Sequence, residues 1–553
     1  MKNHIIGIIE KYLFSTNKAD ALTLKQLHEL CTNLKGLECG LTTSLKTSYD
    51  DIQRYLQSAN EKQSVRKKRG VYYTPKDVVD FIVTTALKLD FSHIHGHTLT
   101  NTLDSVKMQE ALDFCFTKTF LEPTCGTGEF LLSVLDIKVK LLSVIRAVTS
   151  DDLEKILRTL HGNDINPEST AIAKLRIWLY IKHYFHTSLP ANIIDILNSN
   201  FKEYDFVDLN SILKNEKCQY DYTLGNPPYV EDSKSGLKIS KKYGNIYANI
   251  LMNSLMLLKE NGVMGFIIPI SFVSTPRMKK LRDDLLKHID KFFILSYSDR
   301  PDCLFAGVHQ KLCVVIGRKK ENATNRAIYT SNYQYWYKSE RERLFSVIDI
   351  IANPFNDQGF IPKLGTNNDQ KIYKKILQNS DNLFNYLTME SKTDSFSVSL
   401  NMRATFWIKA FLKPHLGGEY KQFNFVNREL AAFATCLLNS SLFWWFWVVV
   451  SDCWHITRKE FKNFYIPQIS QDNLDLFSVL AQKLEDKLEK TKQYVGTKQV
   501  DYEYKHKLCL EEIHQIDDAI GRLYGLELSE ISYIKNFALQ YRVGIDAVSY
   551  TQL

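Results

Sequence analysis

A chain of 553 residues with 44% hydrophobic and 24% charged side chains is too long for one ordinary core and too apolar for a disordered protein, so roughly two to four globular units are expected. A formal net charge of +8 is compatible with a polyanionic partner without demanding one. Ten cysteines without a CxxC pair, and no signal-peptide pattern at the start, argue against a disulfide-stapled secreted scaffold and point to reduced thiols in the cytoplasm.

Residues 1–65 read as a helical segment, with Ile5, Ile8, Ile9 and Tyr12 on one face and Leu24, Leu27, Leu30 and Cys31 on another. Next comes the basic run Arg66-Lys67-Lys68-Arg69, then Gly70-Val71-Tyr72-Tyr73-Thr74-Pro75. Thr74 as N-cap and Pro75 at the first helical position predict a helix whose N-terminus favours an anion such as a carboxylate. The run itself is either a solvated face or a phosphate contact. After a helix, a polar loop and a second helix over 85–113, Phe116–Leu121 is expected to be a strand leading into Glu122-Pro123-Thr124-Cys125-Gly126-Thr127-Gly128-Glu129-Phe130. Glycines at 126 and 128 allow a ligand close to the backbone, and Glu122 can accept from an amine or hydroxyls. The missing Lys-Ser/Thr ending disfavours a nucleoside triphosphate.

A second strand ends at Asn163-Asp164-Ile165, before Asn166-Pro167-Glu168 and an amphipathic helix. Asp164 suits two vicinal ribose hydroxyls, or else caps that helix. A third strand is expected at Ile193–Leu197, ending near Asn200, and a fourth at Asp221–Gly225 running into Asn226-Pro227-Pro228-Tyr229. The two prolines force the chain out of the strand in extended geometry. Either this is only a rigid turn, or it holds an amide and a ring against a flat, hydrogen-bonding substrate. Repeated β-α steps imply a doubly wound α/β sheet with these loops along one edge.

The polar loop 231–245 carries Lys234, Lys238, Lys241 and Lys242, either solvated or poised to bind phosphates. Helices and strands continue the sheet through Leu312–Ile316. From about 326 the alternation stops. Asn401, Arg403, Trp407 and Lys409 are either DNA contacts or ordinary surface, and Leu430–Val450 reads as a buried helix running into a buried strand rather than a membrane span. Glu485-Asp486-Lys487 is expected on a solvated helix face, and helices beginning near Leu474 and Ile513 should either brace the trailing region or offer a partner surface.

The order RGVYYTP, EPTCGTGEF, NDINP, GNPPY resembles the adenine-N6 DNA methyltransferases whose cofactor motifs precede the catalytic motif, closest to restriction-modification enzymes with a TaqI-like carboxy-terminal specificity domain. The resemblance covers roughly residues 66–320 well and the remainder loosely. It implies a Rossmann-like methyltransferase domain over 66–325 and a mixed α+β recognition domain over 326–553, using S-adenosylmethionine and no metal. Tyr73, Thr74 and the stretch from Glu122, Pro123 and Thr124 through Gly126 to Gly128 would then line the methionine end of the cofactor. Asp164 would hold the ribose, Ile165 would pack on the cofactor adenine, and Asn200 would lie near its amino group. Glu122 stands where an aspartate is common and Asn200 where an acid is common.

Catalysis would rest on Asn226, Pro227, Pro228 and Tyr229, the first two supplying acceptors for the target amino group. The target adenine, flipped from double-stranded DNA, would stack on Tyr229. Phe305 would cover its other face, or else belong to the core. Absence of a nuclease pattern argues for methylation without cutting, with a separate restriction endonuclease or specificity subunit as further candidate partners. Two other readings stand beside this one: an NPPY methyltransferase acting on RNA or a protein glutamine, and a non-catalytic DNA-specificity subunit.

Overall fold

The computed structural model describes residues 2–34, 48–58, 73–90, 105–185, 190, 192–216, 219–239, 241–346, 348–355, 359–388, 396–415, 417–496 and 502–544. The basic run at 66–69 and Tyr72 lie outside them. The chain divides into two units: Met1–Phe272 with Arg277–Ile294 and Leu304–Ile328, and Val273–Pro276 with Leu295–Cys303 and Tyr329–Leu553.

The first unit is a doubly wound α/β sheet. Its strands are β1 (Phe120–Glu122), β2 (Leu160–Asn163), β3 (Phe201–Lys202), β4 (Tyr220–Gly225), β5 (Leu258–Pro269), β6 (Ile289–Tyr297) and β7 (Leu312–Lys319), in the order β3-β2-β1-β4-β5-β7-β6. Strands β3, β2, β1, β4 and β5 run parallel, and β7 pairs antiparallel with β5. Tyr222, Thr223 and Leu224 of β4 are all buried, as a central strand covered on both faces requires. Phe120 and Tyr222, register partners in β1 and β4, stack with centroids 4.4 Å apart.

Helices α1 (Lys2–Ser15), α2 (Ala21–Leu30) and α3 (Tyr49–Ser58) form the helical segment, followed by α4 (Lys76–Asp90) and α5 (Ser105–Phe116). Next come α6 (Glu129–Ile145), α7 (Ser150–Leu157), α8 (Pro167–Tyr184) and α9 (Ile193–Asn200). The first three helices pack on α8: Trp178 donates its indole N–H to Gln26 at 3.1 Å, and Tyr49 stacks on His183 at 4.0 Å. Asn166 caps α8, accepting from the Glu168 amide with Pro167 at the first position.

Two expected elements of this unit differ. Ile193–Leu197 is helical, and the third strand is only Phe201–Lys202. Apolar residues at 193, 194, 196 and 197 are all buried, and so short a run fits a buried helix face as well as a strand. Strand β1 begins at Phe120 rather than at 116, because α5 runs through Phe116 and Thr117 still bonds back to the Asp113 carbonyl.

In the second unit β8 (Ala327–Gln334) pairs antiparallel with β9 (Ile350–Ala352). A separate antiparallel sheet joins Leu387–Thr388, Tyr420–Phe425, Phe396–Asn401 and Ala410–Phe411 in that order. The expected strand within 430–450 is a helix: Arg428–Asn439 and Ser441–Val450 meet at a 63° bend. Ser440 accepts from the Phe443 amide and starts the second helix, and burial on every side leaves no periodicity to read. No single helix among the described residues is long and apolar enough to cross a membrane. Glu485 is not solvated: it is 2% exposed and accepts from the Leu412 and Lys413 amides. Trp407 is likewise occupied, donating to the Arg542 carbonyl with the guanidinium 4.1 Å from its ring, and Arg403 pairs with Glu419.

Candidate active site

Strands β2, β1 and β4 are parallel neighbours, so the loops leaving their carboxyl ends share one edge, where open α/β sheets bind ligands. A cavity of about 560 Å³ opens there. Its wall includes Tyr73, Thr74, Glu122, Thr124, Gly126, Asp164, Ile165, Asn226, Pro228 and Lys234 among the residues expected from sequence.

The turn after β1 needs both glycines, for different reasons. Gly126 has φ 49° and a Cβ there would meet open space. Gly128 has φ 81°, is the N-cap of α6, and a Cβ would sit 3.0 Å from the Cβ of Ala173 on α8. Gly128 therefore serves helix packing and does not line the cavity, and neither does Pro123, whose carbonyl accepts from Asn163 at 3.0 Å.

Glu122 is 3% exposed and accepts from the Leu131 amide at 3.3 Å. Burial, assisted by Glu129 and Asp164, pushes its carboxyl well above the ordinary range, opposed by backbone donors. Asp164 spans the turns: one oxygen accepts from the Gly126 amide at 2.9 Å, the other from the Asn166 amide at 2.8 Å. Ile165 is 57% exposed against the cavity, an uncovered apolar side chain at a ligand edge. The Thr124 hydroxyl is buried without a partner.

The Asn226 amide is held at both ends. Its Nδ2 donates to the Thr74 hydroxyl at 3.0 Å, and its Oδ1 accepts from the Tyr229 hydroxyl at 2.5 Å. The Tyr229 hydroxyl also lies 2.9 Å from the Ile267 carbonyl of β5. Thr74 differs slightly from expectation: the helix begins at Lys76, and its hydroxyl serves Asn226. Pro227 is buried, and neither Pro227 nor Tyr229 lines the cavity.

Asn200 does not reach the site. It precedes β3, at the amino edge of the sheet, where its Nδ2 donates to the Leu157 and Leu160 carbonyls at 2.9 and 3.0 Å. The residues that reach the ligand edge from this strand are Asp205 and Phe206, which line the cavity. Burial raises the Asp205 carboxyl. Locating β3 correctly would have exposed them as an acid and an aromatic just beyond a strand end. Asn163 is a further omission: 1% exposed, it donates to the Pro123 and Tyr204 carbonyls and so staples the loops after β1 and β3.

Phe305 is 3% exposed and does not line the cavity. The lysine loop is tied down: Asp232 accepts from the Gly244 amide at 2.7 Å, and Lys241 pairs with Asp284 at 2.7 Å. Lys234 lines the cavity and pairs with Glu231 at 2.7 Å, while Lys238 and Lys242 are exposed.

Known proteins share this stretch. Residues 158–299 match the family model of the Eco57I restriction-modification methylase. Type II methyltransferase M.BstVI of Geobacillus stearothermophilus is 22% identical over 276 residues, 48% of this chain and 45% of that protein. Modification methylase CviBIII of Paramecium bursaria Chlorella virus NC1A is 22% identical over 278 residues, 48% of this chain and 55% of that protein. The match thus spans about half the length of these relatives. Among solved structures, the Type IIL restriction-modification enzyme MmeI in complex with DNA aligns over 97% of this chain and 85% of its own, with a TM-score of 0.52 and 13% identity. That likeness concerns the fold.

Proposed function

We propose that the chain is a cytoplasmic, site-specific DNA methyltransferase that transfers the methyl group of S-adenosylmethionine to the N6 amino group of an adenine flipped from double-stranded DNA, within a restriction-modification or related defence system. One observation carries this reading: an asparagine amide, locked by Thr74 and Tyr229, stands at the end of β4 on the wall of an acid-lined cavity.

The cavity suits the cofactor. The unpartnered Thr124 hydroxyl and the open space at Gly126 leave room and a polar contact, Asp164 and Asp205 offer acceptors, and Ile165 and Phe206 offer apolar cover. When bound, the cofactor supplies an electrophilic methyl group on a sulfonium.

The protein's own contribution is positioning and polarity. An exocyclic adenine nitrogen is a poor nucleophile because its lone pair is delocalised into the ring. Two acceptors aimed at its hydrogens, the Asn226 Oδ1 and the Pro227 carbonyl, favour a pyramidal nitrogen whose lone pair can attack. The Tyr229 ring offers a stacking face for the base. Lys238 and Lys242 supply exposed charge for phosphates, and the second unit reads the DNA sequence.

The test is sequencing that detects methyladenine in DNA from cells expressing the gene, beside cells expressing Asn226→Ala. Methylation of one short motif, lost in Asn226→Ala while the purified variant still binds cofactor, is the expected result. Methyl transfer confined to RNA or protein, with DNA untouched, overturns the proposal.

A further inference from the structure

We propose that the amino-terminal helical segment is a working part of the cofactor cavity, with Gln53 on α3 positioning Arg176 on α8, and Arg176 holding the glycine turn in its receptive shape. The inference rests on the cofactor reading above.

Arg176 is 4% exposed, so its guanidinium depends on protein partners rather than water. On one side its Nη1 donates to the Thr127 carbonyl at 2.8 Å and pairs with the Glu129 carboxylate. Thr127 and Glu129 both line the cavity. On the other side its Nε donates to the Gln53 Oε1 at 2.9 Å. The Gln53 amide returns a hydrogen bond from Nε2 to the Arg176 carbonyl at 3.1 Å. That two-point clamp fixes both the amide and the guanidinium.

The charge balance shows what the clamp does. Glu122, Asp164 and Asp205 already place carboxyl groups on the cavity wall, and Glu129 adds a fourth. Arg176 compensates that fourth carboxylate from behind while its second contact fixes the carbonyl two residues earlier. A guanidinium left without Gln53 can swing away from the turn, leaving the half-buried Glu129 carboxylate poorly paired. The turn that carries Gly126 would then lose its outer support.

Other polar links between the helical segment and α8 do not touch the turn. Trp178 bonds to Gln26, and Tyr49 stacks on His183. They dock the segment, and among its described residues only Gln53 reaches through Arg176 to the cavity wall. This separates a positioning role from docking alone.

The test is calorimetric titration of the full chain and its variants with S-adenosylhomocysteine, paired with methyl-transfer kinetics and thermal melting. Gln53→Ala should bind about tenfold more weakly, the scale of one hydrogen bond to a charged group. Its KM for S-adenosylmethionine should rise by the same factor, with kcat at saturation unchanged. Gln53→Glu, which keeps an acceptor for Nε, should bind within about twofold of the parent. Gln53→Met keeps the length and helix propensity without the polar head, and should reproduce the loss if the alanine variant folds poorly. Gln26→Ala should bind as the parent does. Parent-like binding in folded Gln53→Met, or an equal loss in Gln26→Ala, overturns this inference alone. Failure of the parent itself to bind overturns the cofactor reading and this inference together.

Discussion

The Asn226 side chain donates to the Thr74 hydroxyl across 152 residues of sequence, at 3.0 Å. Together with the Tyr229 hydroxyl at Oδ1, this bond holds the amide in one orientation. Without it the amide loses one of the contacts that keep its oxygen in place.

Thr74→Val keeps the shape and removes the acceptor. Single-turnover transfer should slow about tenfold, the equivalent of one hydrogen bond, while cofactor affinity changes little. Thr74→Ser should recover most of the rate. A valine variant with the parent's rate would remove Thr74 from the positioning of Asn226.

The two glycines of the turn should fail in different ways. Gly128→Ala forces a side chain at φ 81° against Ala173, and should lower stability by about 1–3 kcal/mol in chemical denaturation. Gly126→Ala, with φ 49° and no neighbour within 4 Å, should cost less stability but put a methyl group into the cavity. Its larger effect should appear as weakened cofactor binding.

His506 gives the second unit a stability that depends on pH. It is buried, and its Nε2 lies 3.0 Å from the Asn439 Oδ1, so a second proton would place a charge away from water. Burial, with Lys409 nearby, lowers its pKa to about 3. Between that value and the ordinary histidine value of about 6.5 the unfolded chain binds a proton that the folded chain does not. Stability should therefore rise with pH across this window. Urea midpoints measured from pH 4 to 7 should climb more steeply for the parent than for His506→Gln; equal slopes would contradict this.

The loop lysines should separate by partner. Lys238→Ala and Lys242→Ala should each lower the salt dependence of DNA binding by about one counterion. Lys241→Ala, which breaks the pair with Asp284, should loosen the loop to proteolysis instead. An equal salt effect from all three would mean that Lys241 leaves Asp284 for a phosphate on binding.

Much of the site was legible because its chemistry is local. A glycine turn, a capped helix after Asp164 and a double proline after β4 each announce themselves within a few residues, and parallel β-α order places them on one edge. The place of Asn200 is hard to read because a two-residue strand has no periodicity of its own, and the apolar run before it is helical. Gln53 and Arg176 lie 123 residues apart, and no local pattern announces such a pair. Glu485 followed a helix-face pattern that says nothing of the backbone amides waiting opposite it. The aromatic run at 441–450 has strand-like composition, and only the serine cap at 440 betrays its helix.

The contact between Gly128 and Ala173 also limits which sequences this fold can carry. Ala173 is fully buried against a backbone that has no side chain to withdraw. A saturation library at position 173, sorted for soluble protein, should keep glycine, alanine and serine and discard branched or aromatic residues. A glycine in the binding turn thereby makes a helix position more than forty residues later as intolerant of change as the turn itself.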